Sequence, residues 1–173
     1  MDCVAELIMM EPIVFYSFGG LAVATALLMV TRQNPIASAI WLVVCFFAFA
    51  ALFITLDAHF IGVIQVLLYA GAIMVLFIFV IMLLNIGEEE LKARTMQFSG
   101  FLGGAVVVYL IVLITLGLLK NPVNSFETLP ADFGYVAPVG RLLFTKYLVP
   151  FELTSVLLLV AIVGSVVMGK RKL

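Results

Sequence analysis

The 173 residues are 65% hydrophobic and 11% charged, with a net charge of −1, and the mean hydropathy is +1.31. A chain this apolar excludes a soluble catalytic domain. The lack of a basic stripe excludes a nucleic-acid partner. In lipid each backbone polar group must be paired within its own helix or by protein neighbours, so the chain reads as an all-α integral membrane protein.

Five transmembrane helices are predicted, covering Pro12–Val30, Ile36–Leu56, Ile61–Leu84, Phe98–Leu119 and Pro150–Met168. They form one membrane domain over residues 1–173. About 20 residues at 1.5 Å rise cross the ~30 Å hydrocarbon core, so each run is long enough. Met1–Met10 carries Asp2 and Glu6 in place of a basic n-region and does not read as a cleavable signal. Cys3 falls outside the first span and Cys45 near the middle of the second, depths too different for a bridge.

The segment Thr31-Arg32-Gln33-Asn34-Pro35 ends one span and starts the next, with Pro35 at a first turn that needs no N–H. Asp57-Ala58-His59-Phe60 is so short a break that spans two and three must be antiparallel neighbours. His59 is the only histidine, and with Asp57 alone beside it no metal site is expected. Glu88–Arg94 reads as a solvated charged connector. The outer loop 120–149 carries Pro122, Pro130 and Pro138, followed by Gly140–Leu148, a candidate amphipathic piece lying along the surface.

Arg32, Lys92, Arg94, Lys170, Arg171 and Lys172 fall on one side, and Lys120, Arg141 and Lys146 on the other. The excess of basic residues marks the cytoplasmic side, which gives an N-out, C-in orientation. Gly100 with Gly104 in span four, and Ala161, Ser165 and Gly169 in span five, read as close-packing faces.

Span three carries the most information. Neither it nor span two contains a charged residue, whereas a transporter that moves protons by itself places ionisable groups in the membrane. Gln65 and Tyr69 are spaced i, i+4 and share a helix face. By helical rise Tyr69 lies about 12 Å from the outer end of the span, where its hydroxyl needs a protein or water partner. Ala70-Gly71-Ala72 follows, three small residues that admit a neighbouring helix or ordered water, with a glycine that makes a bend cheaper. Two readings stay open from the residues alone. Either Gln65, Tyr69 and Gly71 serve helix packing, or they build a hydrated, deformable segment.

The run Gln65-Val66-Leu67-Leu68-Tyr69-Ala70-Gly71-Ala72-Ile73-Met74-Val75-Leu76-Phe77, continuing through Val80–Asn85, resembles the third helix of subunit J of the proton-pumping NADH:quinone oxidoreductase, respiratory complex I. That family includes the mitochondrially encoded chain six. Asn34-Pro35 with its following span resembles the family's second helix, and Leu143–Ala161 its last. The likeness covers nearly the whole chain, although the acidic start and Lys120–Gly140 match nothing diagnostic.

The resemblance implies a subunit without electron-transfer residues, holding no cofactor of its own. FMN, iron–sulfur clusters and quinone are then expected on partner subunits, among them the quinone-site subunit and the antiporter-like subunits. It also implies a π-bulge near Tyr69, Ala70, Gly71 and Ala72, in a helix that switches between bulged and regular forms and thereby opens or closes a water path. Phe77 becomes a candidate gate on the same helix. Gln65 departs from relatives with Glu at the matching place, so a potential relay is uncharged here.

Glu152, two residues after Pro150, is placed at the start of the last helix, where the N-terminus stabilises a carboxylate; it is also a candidate anchor of the outer loop. The expected location is a bacterial inner (plasma) membrane. A purely structural or assembly subunit, and the equivalent subunit of a sister complex fed by another electron donor, are the alternatives. A stand-alone carrier would need an intramembrane ionisable site or inverted repeats, and the sequence shows neither.

Overall fold

The computed structural model describes residues 2–84, 98–120 and 132–170, without side chains for 2–10, 98–102 and 118. The charged connector Glu88–Arg94, the first half of the 120–149 loop, and Arg171 and Lys172 lie outside the described residues. All regular structure among the described residues is helical. The helices are α1 (Asp2–Thr31), α2 (Pro35–Thr55), α3 (His59–Leu84), α4 (Phe98–Lys120), α5 (Val136–Thr145) and α6 (Leu148–Gly169).

Among the described residues, four helical stretches are long and apolar enough to cross a membrane: Glu11–Thr31 within α1, then α2, α3 and α6. In α4, the described apolar stretch is Gly103–Gly117. Two expected boundaries move for backbone reasons. Good helix formers such as Met, Leu, Glu and Ala precede Pro12, and α1 runs back through that proline to Asp2. The last helix starts at Leu148, because Pro150 falls within a first turn whose N–H groups have no intrahelical partner.

Between α1 and α2 the chain turns in a few residues, and the two helices pack along each other. Asn34 caps α2, its side-chain oxygen accepting from the N–H groups of Ile36 at 2.9 Å and Ala37 at 3.3 Å, with Pro35 as the first helical residue. Small residues supply most of the buried positions: Ala22 and Thr25 from α1, and Ala39, Cys45, Ala48 and Ala50 from α2. The Thr25 hydroxyl donates to the carbonyls of Leu21 and Ala22 at 2.8 and 3.0 Å, and the Cys45 thiol points to the Ala22 carbonyl at 3.6 Å. With no hydrophobic drive between helices in lipid, short side chains that let backbones approach are what hold such a pair.

The end of α2 is a left-handed cap. Ala58 N–H donates to the Phe53 carbonyl at 2.9 Å and Asp57 N–H to the Ile54 carbonyl at 3.2 Å, while Asp57 sits at φ 58°. Glycine usually fills that position, and aspartate is among the few residues that tolerate it. The turn reverses the chain, so α3 runs back along α2. Gly62 lies where a β-carbon would come within 2.8 Å of Ile54 Cγ1 and 3.0 Å of the Ala50 carbonyl oxygen.

α5 folds onto the start of α6, with Phe144 and Phe151 edge to face at 5.1 Å. The surface piece expected over Gly140–Leu148 is in the structure a helix beginning four residues earlier, at Val136. Gly104 of the face expected in span four and Gly169 of the face expected in span five meet no described residue of this chain, and the surroundings of Gly100 lie outside the described residues. β-carbons at Gly104, Gly164 and Gly169 would find open space.

Candidate functional site

Three backbone regimes run through α3. His59–Ile64 is α-helical, Gln65–Ile73 is π-helical and Met74–Leu84 is α-helical again. A π turn widens the helix by pairing each N–H with a carbonyl five residues back, a geometry that regular packing seldom favours and that concentrates at functional positions. Nothing charged occurs anywhere along α3. Gln65, Tyr69, Ala70, Gly71 and Ala72 all lie inside the π segment, whereas Phe77 lies beyond it.

The π segment is held on one side only. Ala70 and Met74 are buried, and the Tyr69 ring meets Phe46 of α2 edge-on at a centroid distance of 5.5 Å. Tyr69 is nevertheless 46% exposed. The hydrogen bonds found among the described residues include none to its hydroxyl, a group that needs a partner when it lies in lipid.

Gly71 has room within this chain: among the described residues a β-carbon there would meet only the Val66 carbonyl oxygen of its own helix, at 3.4 Å. The close-approach glycine of α3 is Gly62, one turn from its N-terminal end, which sequence reasoning passed over. Its signal was a lone glycine among Ile61, Val63 and Ile64, immediately after a turn too short to separate two helices.

Phe77 and Ile81 of α3 face Met29 of α1 and Pro35, Ser38, Ala39 and Leu42 of α2 across a cavity of about 230 Å³. The lining is almost wholly apolar, and the Ser38 hydroxyl donates to the Arg32 carbonyl at 3.3 Å. An apolar lining of this kind offers few of the two to four polar partners that an ordered water needs. Tyr69 and Phe77 are therefore parts of two adjoining places, a half-exposed polar face in the π segment and an apolar cavity just beyond it.

Glu152 is not in the first turn of its helix. Because α6 begins at Leu148, its carboxylate stands in the second turn and is exposed, away from the N–H groups that would have stabilised it. His59 stands 3.9 Å from the Asp57 carboxylate, and the described residues contain no group of three potential metal ligands.

The model of the family described as NADH-ubiquinone/plastoquinone oxidoreductase chain 6 matches residues 25–168, which include α2, α3 with its π segment, and nearly all of α6. The chain belongs to this family. Among its relatives, the NADH-quinone oxidoreductase subunit J of Rhodobacter capsulatus is 30% identical over 163 residues, covering 91% of this chain and 80% of the relative. Subunit J from Pseudomonas aeruginosa is 34% identical over 161 residues, covering 91% and 95%. The F(420)H(2) dehydrogenase subunit J of Methanosarcina mazei is 35% identical over 159 residues, covering 88% and 89%. Relatives with two different electron donors in their names thus align along almost the whole of this chain.

Proposed function

We propose that this chain is a membrane-arm subunit of a proton-pumping NADH:quinone oxidoreductase, carrying no electron-transfer residue and gating the coupling between quinone reduction and proton translocation. The observation that carries the gating part is the π segment Gln65–Ile73 placed in the one long helix that bears the polar pair Gln65 and Tyr69. Converting a wide turn to a regular one rotates the rest of the helix by about 100° and shifts it by about 1.5 Å. That rotation carries Phe77 out of the cavity wall and changes which residues face Tyr69. With no acidic or basic side chain in mid-span, α3 modulates hydration without trapping a proton, so the protons pass over groups of partner subunits.

The remaining parts of the reading follow from the same premises. All five helices of span length, α4 included, cross the membrane as one domain, N-out and C-in, in a bacterial inner membrane. The small-residue and apolar faces of α4 and α6 that meet no described residue of this chain are covered by neighbouring subunits, and exposed Glu152 anchors the outer loop to one of them. Flavin, iron–sulfur clusters and quinone belong to those partners. The F(420)H(2) dehydrogenase relative supports a second reading, the equivalent subunit of a complex with another electron donor.

Copurification from mildly solubilised membranes, with identification of the attached redox subunits, separates the two donors. The gating role is tested by Phe77→Ala beside Phe79→Ala, a half-exposed control that does not line the cavity. Fewer protons pumped per quinone reduced in the Phe77 variant alone supports the gate. Equal behaviour of the two variants contradicts it.

A further inference from the structure

α3 starts without a side-chain cap. Ala58 at its N-cap offers no oxygen to the first-turn N–H groups, which in a regular helix need an outside partner. One is supplied from far along the chain, where the Phe60 N–H donates to the Gly134 carbonyl at 2.9 Å. Gly134 is buried, and a β-carbon on it would overlap the Asp57 carbonyl and come within 3.2 Å of the His59 nitrogen. Next to it the Tyr135 ring lies on the His59 ring, 4.9 Å between centroids with planes tilted 39°. Only glycine fits at 134, because the two backbones touch.

These contacts gather at one end of the helix. Asp57 is fixed by its left-handed cap on α2, His59 and Phe60 are held by Tyr135 and Gly134, and Gly62 is seated on Ala50 and Ile54. Beyond the π segment the described residues of this chain supply no comparable clasp. Val75, Leu76, Leu83 and Leu84 are each about two-thirds exposed, at 64% or 65%. A rotation generated between two helix halves appears in the half that is held less.

We infer that Gly134 and Tyr135 are positioning residues for the gating helix: by clasping the Asp57–Phe60 turn they fix the outer end of α3, so that a change in the π segment rotates the inner half, Met74–Leu84. The inference rests on the proposal that α3 switches. It gives the outer loop a mechanical part in coupling, although neither residue comes near the π segment in sequence.

The test uses the assembled complex in native membranes, in a Cys3→Ser, Cys45→Ala background, with one thiol reporter in this chain at a time, Ile61→Cys at the outer end or Leu84→Cys at the inner end. A membrane-permeant maleimide reads labelling rates at rest and during turnover. With the clasp intact, the Leu84 reporter changes its rate several-fold between the two conditions and the Ile61 reporter does not. Gly134→Ala is expected to transfer part of that change to the Ile61 reporter and to lower the protons pumped per quinone reduced, with electron delivery to an artificial acceptor unchanged. Tyr135→Ala does the same more mildly, and Tyr135→Phe, which keeps the ring contact, behaves as wild type.

A response at Ile61 with the clasp intact overturns the inference, as does a wild-type labelling pattern and proton yield in both Gly134→Ala and Tyr135→Ala. Loss of the assembled complex in both variants would reduce the clasp to packing and also overturn it. No response at either reporter in the parent complex would instead remove the switching reading on which it rests.

Discussion

Tyr69 packs edge-on against Phe46 at 5.5 Å while the residue as a whole stays half-exposed, so substitutions can address its ring and its hydroxyl separately. The ring joins α3 to α2. The hydroxyl is available to water or to a partner subunit.

Tyr69→Phe keeps the ring contact, so the variant complex should assemble at wild-type abundance and show reduced quinone-linked pumping. Phe46→Ala removes the edge-to-face pair, worth about 0.5–1.5 kcal/mol beyond the area it buries. That variant should lower the amount of assembled complex on native gels. A Tyr69→Phe enzyme that pumps normally at normal abundance would leave packing as the whole role of the residue.

Gly62 and Gly71 should respond in opposite ways to the same substitution. A β-carbon at 62 meets Ile54 at 2.8 Å and the Ala50 carbonyl oxygen at 3.0 Å, and forcing helices apart in this way costs about 1–3 kcal/mol. Gly62→Ala should therefore reduce assembled complex, whereas Gly71→Ala, with room for its methyl group, should not. Quantifying this subunit in detergent-solubilised complexes checks both.

Asp57 holds a left-handed conformation that glycine adopts without a side-chain penalty. Asp57→Gly should raise the thermal resistance of the solubilised complex against loss of this subunit, by up to about 1–2 kcal/mol, and Asp57→Val should lower it. Thermal release of the subunit, followed on native gels, is the measurement. Equal midpoints for the three proteins would show that the turn does not limit stability.

Much of the helix order could be read from hydropathy and loop chemistry, because lipid imposes long uncharged runs and Asn34-Pro35 is a strong helix start. The position of the π segment was expected from the resemblance carried by Gln65–Phe77, not from Tyr69 and Gly71 alone. What those residues do there was less legible. Gly71 left both packing and deformability open, because whether a glycine faces a helix or open space depends on the direction of the helix face, which a width change in α3 alters. The glycine that does seat a helix, Gly62, looked ordinary. The clasp could not be read at all, since Gly134 meets Asp57 through backbone atoms, and backbone contact across such a sequence separation leaves no pattern of side-chain types. Glu152 was misplaced for a simpler reason, that Pro150 entered the helix instead of marking its start.

Gly71 gives the most direct test of gating. A segment that passes between wide and regular turns needs a residue that crosses unusual backbone angles cheaply; alanine loses that freedom, and valine adds a restricted χ1. The decisive measurement compares acceptor reduction, quinone reduction and proton pumping in the same membranes for wild type, Gly71→Ala and Gly71→Val, normalised to assembled complex. The gating account predicts unchanged acceptor reduction, with quinone reduction and pumping falling stepwise from glycine to alanine to valine. Loss of all three activities in proportion to lost complex, or no change in any of them with valine in place, would contradict it.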